Sequence, residues 1–241
     1  MKSRPLPEFR SIQTDVAAPA LGLFVENLGK AYGRESVLRD VSFSLLPGSA
    51  LGICGGNGAG KTTLIHLLAS ILTADTGRIT LNGVPAERSR AYRKQIGFVP
   101  QEIALSPRLT VEQNLDFWAS MRGLSGKARE KTVQEAIELT NIGGFLNKRV
   151  SRCSGGMIRR TNLAAGLVDS PSLILLDEPT AGIDEENRDS ILRSVKNLIR
   201  ERRMVVMVNH YRAELDTVCD SIITLQDGQL ASQGQGAPLE A

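Results

Sequence analysis

Residues Gly55-Gly56-Asn57-Gly58-Ala59-Gly60-Lys61-Thr62 follow the spacing Gly-x-x-x-x-Gly-Lys-[Ser/Thr], and no other stretch restricts the fold of the chain so tightly. The apolar run Ala50-Leu51-Gly52-Ile53-Cys54 before it has the pattern of a buried strand, and Thr63-Leu64-Ile65-His66-Leu67-Leu68-Ala69 after it has the pattern of a helix. Strand, glycine loop and helix in that order make a cradle for phosphate. Glycine tolerates positive φ and has no Cβ to obstruct close approach, so successive backbone N–H groups can wrap an anion. The first turn of the helix adds its partial positive charge. In such a loop Lys61 reaches the β- and γ-phosphates of a nucleotide, and the Thr62 hydroxyl is placed to ligate Mg²⁺. A chance glycine-rich turn is the competing reading, and the flanking strand and helix argue against it. Alone, the loop says only that a nucleotide binds.

A chain of 241 residues is large enough for one sizeable core, or a core with a subsidiary lobe. Its longest apolar runs, Leu173-Ile174-Leu175-Leu176 and Met204-Val205-Val206-Met207-Val208, fall far short of the roughly 18 residues that a membrane-spanning helix needs. The chain is not expected to cross a bilayer alone. Cys54, Cys153 and Cys219 are odd in number, widely separated and outside any C-x-x-C spacing, which reads as reduced thiols in a cytosol and not as a disulfide frame or zinc site. The net charge of +3 is spread along the chain, so a solvated surface is the simpler reading and no nucleic-acid footprint is indicated.

Residues 1–20 carry Pro5, Pro7 and Pro19 with mixed charges, and read as a flexible extension, not a secretory signal. From Leu21 the pattern becomes that of antiparallel strands. Leu23 and Val25, then Val41, Phe43 and Leu45, alternate with polar residues. Tyr32 at the end of the first run is either a core aromatic or a ring available to stack on a base. Arg78-Ile79-Thr80-Leu81 is another alternating strand with an Asn82-Gly83 turn, and Ile96 to Val99 is a short apolar strand with Gln101 at its edge. From Val111 to about Gly144 the period is helical. Leu115, Trp118 and Met121 form one apolar stripe and Val133, Ile137 and Leu139 another, with Trp118 and Met121 expected in the core.

Ser154 is a plausible N-cap for a helix whose first turn holds Gly155 and Gly156. Glycine costs about 1 kcal/mol per position there relative to alanine, which suggests that backbone N–H groups are needed for an anion. Leu173 to Leu176 run as a buried strand into Asp177 and Glu178, the arrangement in which Asp177 stands near Mg²⁺. Alternation along the strand would turn Glu178 the other way, toward a water molecule. A solvated strand-end charge pair is the competing reading. Glu185 to Arg203 is a charged amphipathic helix, and the strand Met204 to Val208 ends at Asn209-His210. Asp177, Glu178 and His210 can then gather at one edge of a parallel sheet, where open α/β folds bind ligands. His66, inside the loop helix, reads as structural. Ile222 to Leu225, Asp227-Gly228 and Leu230 form a closing hairpin, followed by a polar tail.

From about Leu21 to Leu230 these stretches closely resemble the ATP-binding cassette (ABC) ATPases. Tyr32 matches the family's adenine-stacking aromatic, Gly55 to Thr62 with Thr63 its Walker A, Gln101 its Q-loop glutamine and Ser154-Gly155-Gly156 its signature. Leu173 to Asp177 match Walker B, Glu178 the catalytic glutamate, Ala181-Gly182-Ile183-Asp184 the D-loop and His210 the switch histidine. The resemblance implies an α/β fold: a P-loop NTPase (RecA-like) parallel-sheet core with an antiparallel β subdomain and a helical subdomain. The ATPase domain would run over residues 21–241, with the helical subdomain at about 102–168. It implies ATP held with Mg²⁺, the metal taken by Thr62, Gln101 and Asp177, and a catalytic set of Lys61, Glu178 and His210. Two cassettes, identical or not, would close head to tail, each ATP lying between one Walker A and the opposite signature.

The signature departs from Leu-Ser-Gly-Gly-Gln, with Cys153 for leucine and Met157 for glutamine, while its serine and glycines remain. Gly-Gly-Met followed by Arg159-Arg160 resembles the drug- and polysaccharide-exporter branch. The implied function is that of a cytoplasmic ATPase, peripheral on the inner face of the cell membrane, driving a separate transmembrane permease for export without a nucleic-acid partner. An importer ATPase is the alternative within transport. A non-transport ABC ATPase acting on DNA or ribosomes is the alternative outside it, disfavoured because the chain has neither long coiled coils nor a second cassette. A GTPase is disfavoured because Asn147-Lys148-Arg149-Val150 lacks the aspartate of the guanine-reading motif.

Overall fold

The computed structural model describes residues 21–87 and 90–235; the proposed extension at 1–20 and the polar tail from 236 lie outside the described residues. The chain begins with β1 (Leu23–Tyr32) and β2 (Glu35–Leu45), then enters β3 (Ala50–Gly55), the glycine loop and α1 (Lys61–Leu68). A hairpin of β4 (Thr76–Leu81) and β5 (Val84–Pro85) is followed by the short α2 (Arg90–Arg93) and β6 (Ile96–Val99). Next come α3 (Val111–Met121), α4 (Gly126–Thr140) and α5 (Gly155–Leu167), the last preceded by two 3-10 turns. The final third alternates through β7 (Leu173–Asp177), α6 (Glu185–Arg200), β8 (Met204–Val208), α7 (Arg212–Val218), β9 (Ser221–Gln226) and β10 (Gln229–Gln235).

The alternating strands and the continuously apolar ones enter different sheets. The former make a four-stranded antiparallel sheet in the order β2-β1-β4-β5, in which Leu23 pairs with both Leu45 and Leu81, and Val25 with Phe43. Its inward face is the apolar set Leu23, Val25, Val41, Phe43 and Leu45, all buried. The latter make a six-stranded sheet in the order β10-β9-β3-β8-β7-β6, parallel except for the edge strand β10. Every residue of β7 and β8 is buried, as a parallel sheet covered on both faces requires. Successive side chains serve opposite cores: Leu173 and Leu175 pack with α1 and the small sheet, Ile174 and Leu176 with the helices on the other face. The two closing-hairpin turns fit their residues, since Asn82-Gly83 and Asp227-Gly228 all have positive φ.

One helical stripe differs from the expectation. The buried residues of α3 are Val111, Asn114, Leu115 and Ala119, whereas Met121 is 67 % exposed and Trp118 only half-buried, its Nε1 donating to the Ala104 carbonyl at 2.9 Å. The true stripe runs at i, i+4, i+8, and the spacing of Leu115, Trp118 and Met121 drifts off it by the last turn. In α4, similarly, Ala136 and Thr140 complete the face begun by Val133 and Ile137, leaving Leu139 at its margin.

Candidate active site

The glycine loop connects the end of β3 to the start of α1, at the edge of the parallel sheet to which the strands' C-terminal ends point. Two of its glycines are required by space. A Cβ on Gly55, where φ is +152°, would stand 2.4 Å from the Leu225 carbonyl oxygen, and one on Gly60, where φ is +98°, 2.8 Å from the Leu38 side chain. Gly56 and Gly58 face open space. Gly60 caps α1 with no side-chain hydrogen bond, so the first-turn N–H groups remain for a ligand. Lys61 is only 7 % exposed; its ammonium donates to the carbonyls of Gly55 and Gly56, each at 2.9 Å, and among the described residues it pairs with no carboxylate. A buried cation that makes no salt bridge among the described residues, set among uncapped N–H groups, fits a triphosphate. Asn57 and Thr62 are exposed, Thr63 is half-buried and Ala59 is buried.

Asp177 ends β7 with 6 % exposure. Burial raises its pKa above the ordinary aspartate value and the charge of Glu178 adds to the rise, while His66, Lys61 and His210 oppose it. Among the described residues no group of three or more His, Cys, Asp or Glu could hold a metal, so a cation shared by Thr62, Gln101 and Asp177 would need phosphate oxygens to fill its shell.

Glu178 is oriented by something other than strand alternation. The strand stops at Asp177, and Glu178 has φ of +47°, a left-handed conformation unusual for a residue with a Cβ. That turn delivers its carboxylate to groups from two other loops: Gln101 Nε2 donates to Oε2 at 2.9 Å, and His210 Nε2 lies 2.6 Å from Oε1. Non-glycine residues are held in such regions by their surroundings, and at functional sites above all. The Gln101 carbonyl in turn accepts from Arg159 on α5, whose pKa burial lowers and the Glu178 charge raises. Gln101, Glu178 and His210 are thus brought into direct contact.

Ser154, Gly155 and Tyr32 stand apart, and among the described residues no hydrogen bond or ion pair joins them to Lys61, Glu178 or His210. Ser154 caps α5, its hydroxyl accepting from Met157 N at 3.3 Å. Gly155 faces open space, but a Cβ on Gly156 would fall 1.9 Å from the Asn187 side chain of α6. Packing therefore accounts for Gly156, and only Gly155 is left to the anion argument drawn from helix propensity. Tyr32 is 50 % exposed, with Lys30 Nζ 5.8 Å from its ring centroid, which removes the core reading. His66 makes an edge contact with Phe98 at 5.9 Å, in keeping with a structural role. The three cysteines are free. Arg159 stands in the sequence only as part of the basic pair behind the signature, and nothing there ties it to Gln101. Glu214 is the residue that the sequence reading passed over, although its place carries a signal: it is a carboxylate on the buried face of α7, beside Leu215 and Val218.

Comparison with known proteins gives a consistent picture. The family described as ABC transporter matches residues 38–181. The linearmycin resistance ATP-binding protein LnrL of Bacillus subtilis (strain 168) is 39 % identical over 213 residues, which is 88 % of this chain and 68 % of that protein. The Nod factor export ATP-binding protein I of Rhizobium etli is 34 % identical over 210 residues, 87 % of this chain and 66 % of its own length. The chain thus spans about two thirds of the length of these relatives. Among solved structures, a dimeric bacterial ABC transporter cassette is 25 % identical and superposes with a TM-score of 0.79, over 90 % of this chain and all of that one.

Proposed function

The chain belongs to the ABC transporter family as one of its ATP-hydrolysing cassettes, and on that footing we propose that it closes head to tail with a second cassette around two ATP molecules and drives a separate membrane permease for export. The observation that carries the reading is that, among the described residues, Ser154 and Gly155 make no hydrogen bond to their own phosphate cradle. Both are exposed at the N-terminus of α5, bonded to nothing near Lys61, and so free to serve the nucleotide of a partner. Charge-assisted bonds of that kind are worth about 1.5–3 kcal/mol each. The names of the relatives, Nod factor export and linearmycin resistance, support the export direction, as does Met157 with Arg159 and Arg160.

In this reading the ATPase domain is residues 21–241, with a helical subdomain at about 102–168. Tyr32 stacks on the adenine, and Gly55 to Thr63 hold the phosphates, with Lys61 neutralising the γ-phosphate. Thr62, Asp177 and Gln101 hold Mg²⁺, which when bound offsets the charge of the phosphate oxygens. Glu178 orients and deprotonates the attacking water, and His210 holds the γ-phosphate. Ser154, Gly155 and Gly156 close on the partner's γ-phosphate, so its release loosens the pair and opening follows.

Ile103, Phe117 and Met121 are apolar and exposed close to Gln101 and along α3, which supports this flank as the face that meets the permease. No described helix is long and apolar enough to cross a membrane, and the permease would hold the cassette at the inner face. The test is purification from membranes with a tag on this chain, followed by identification of what is bound. An integral membrane protein is expected. Ribosomes or nucleic acid in its place would overturn the transport reading.

A further inference from the structure

The segments carrying Glu178 and His210 are joined from beneath by a carboxylate that neither motif contains. Glu214 is 7 % exposed on α7. Its Oε2 accepts from the Thr180 hydroxyl and, at 2.8 Å, from Asn209 Nδ2, which also lies 3.0 Å from Thr180 Oγ1. Its Oε1 stands 3.0 Å from Arg188 Nε of α6. Thr180 is two residues beyond Glu178, and Asn209 immediately precedes His210. A charge this deeply buried persists only where its lone pairs are satisfied. Here the hydrogen bonds come from two loops, through Thr180 and Asn209, and Arg188 of α6 adds an ion pair without a hydrogen bond from its Nε.

Glu178 N donates to Val208 O at 3.0 Å and Asn209 N to Ile53 O at 3.2 Å at the ends of β7 and β8. Within the loops Ala181 N donates to Glu178 O at 3.2 Å and Glu214 N to Tyr211 O at 3.1 Å; among the described residues no main-chain bond joins Thr180 to Asn209 or His210. Beyond them, Thr180, Asn209 and Glu214 supply the lateral link, and Asn209 Oδ1 also accepts from Tyr211 N at 3.0 Å, bracketing His210 from both sides. We propose that Glu214 is a positioning residue for hydrolysis: by clamping Thr180 to Asn209 it sets the 2.6 Å approach of His210 to Glu178. The proposal rests on the reading of those two residues as the hydrolytic pair. The clamp itself is open to test in the nucleotide-free protein.

The sequence holds two histidines, His66 and His210, so imidazole NMR gives one probe at the clamp and one internal control. At constant pH, Glu214→Ala moves the His210 ring resonances toward those of a free, exposed imidazole and leaves His66 unmoved. In the same variant kcat for ATP falls about 10–100-fold, the size expected when reacting groups shift by around an ångström, while KM changes less than about twofold. Glu214→Gln keeps an acceptor for Thr180 and Asn209 and restores most of both signals. Thr180→Val removes the hydroxyl alone and falls between, which keeps the test open should Glu214→Ala fail to fold. An unmoved His210 resonance in either folded variant overturns the clamp, whatever the turnover. A moved resonance with unaltered kcat, or a raised KM alone, overturns the positioning role, whereas undiminished turnover in Glu178→Gln overturns the reading of the hydrolytic pair on which it rests.

Discussion

His210 Nε2 lies 2.6 Å from Glu178 Oε1, and Gln101 Nε2 donates to the opposite oxygen at 2.9 Å. The carboxylate is held from both sides, so its direction is set by the segments carrying His210 and Gln101 as much as by its own backbone. Replacing it with the neutral, isosteric amide keeps the shape and removes the proposed proton acceptor. Glu178→Gln is expected to slow hydrolysis by about 10²–10⁴-fold while ATP binding stays nearly intact. Phosphate release and equilibrium nucleotide binding measure the two separately, and undiminished turnover in a pure preparation removes Glu178 from the chemistry.

Ser154 is exposed, and among the described residues its hydroxyl does no more than cap α5. An arginine there has room in a single subunit, yet brings bulk and charge to the surface that would meet a partner's nucleotide. Ser154→Arg is expected to abolish ATP-dependent dimerisation in sizing or scattering experiments, with ATP still bound by the monomer. Dimerisation at wild-type ATP concentrations would show that the two cassettes do not share their sites.

The parallel-sheet strands were plain in the sequence. Met204 to Val208 and Leu173 to Leu176 are unbroken apolar runs between charged or turn residues, and only burial on both faces explains such runs. The cradle was plain because its spacing carries its own mechanism. Met121 departs from its expected place in the core because a helix face is chosen by what packs against it, and α3 turns Val111, Leu115 and Ala119 inward. The orientation of Glu178 was hidden for a different reason: alternation holds only while the strand lasts, and a φ of +47° begins at the first residue past it. The clamp at Glu214 unites residues from positions 180, 188, 209 and 214, a juxtaposition made by tertiary structure alone.

Gly155 and Gly156 are adjacent in the chain but answer to different demands. A Cβ on Gly156 would meet Asn187 at 1.9 Å, whereas one on Gly155 meets nothing within 4 Å. Gly156→Ala is therefore expected to destabilise the fold by about 1–3 kcal/mol, as overpacking does. Asn187→Ala in the same molecule would recover part of that loss. Gly155→Ala should leave the denaturation midpoint unchanged or raised, since alanine favours the helix, and yet lower hydrolysis by crowding the open N–H groups. Equal destabilisation by the two variants would contradict the distinction.

Asn187 is itself held by Asp184, whose carboxylate accepts from Asn187 N at 2.9 Å and from its side-chain amide at 2.8 Å, capping α6. The backbone bond from Asn187, then its side-chain bond, lowers the pKa of Asp184 below its ordinary value of 3.8. A lowered pKa means that the folded protein binds fewer protons than the unfolded chain, so stability rises with pH across the titration. The contribution is complete above the ordinary aspartate range and disappears as the pH falls through the folded value. Asp184→Asn retains a cap acceptor but does not titrate. In urea unfolding, the wild-type advantage over this variant should be constant between about pH 7 and pH 5 and shrink below about pH 4. Added salt should narrow it at neutral pH, because the carboxylate also faces the positive end of α6 from the surface. A gap that does not change with pH would mean that the cap acts through geometry alone, and that charge at Asp184 does nothing to hold Asn187 against Gly156.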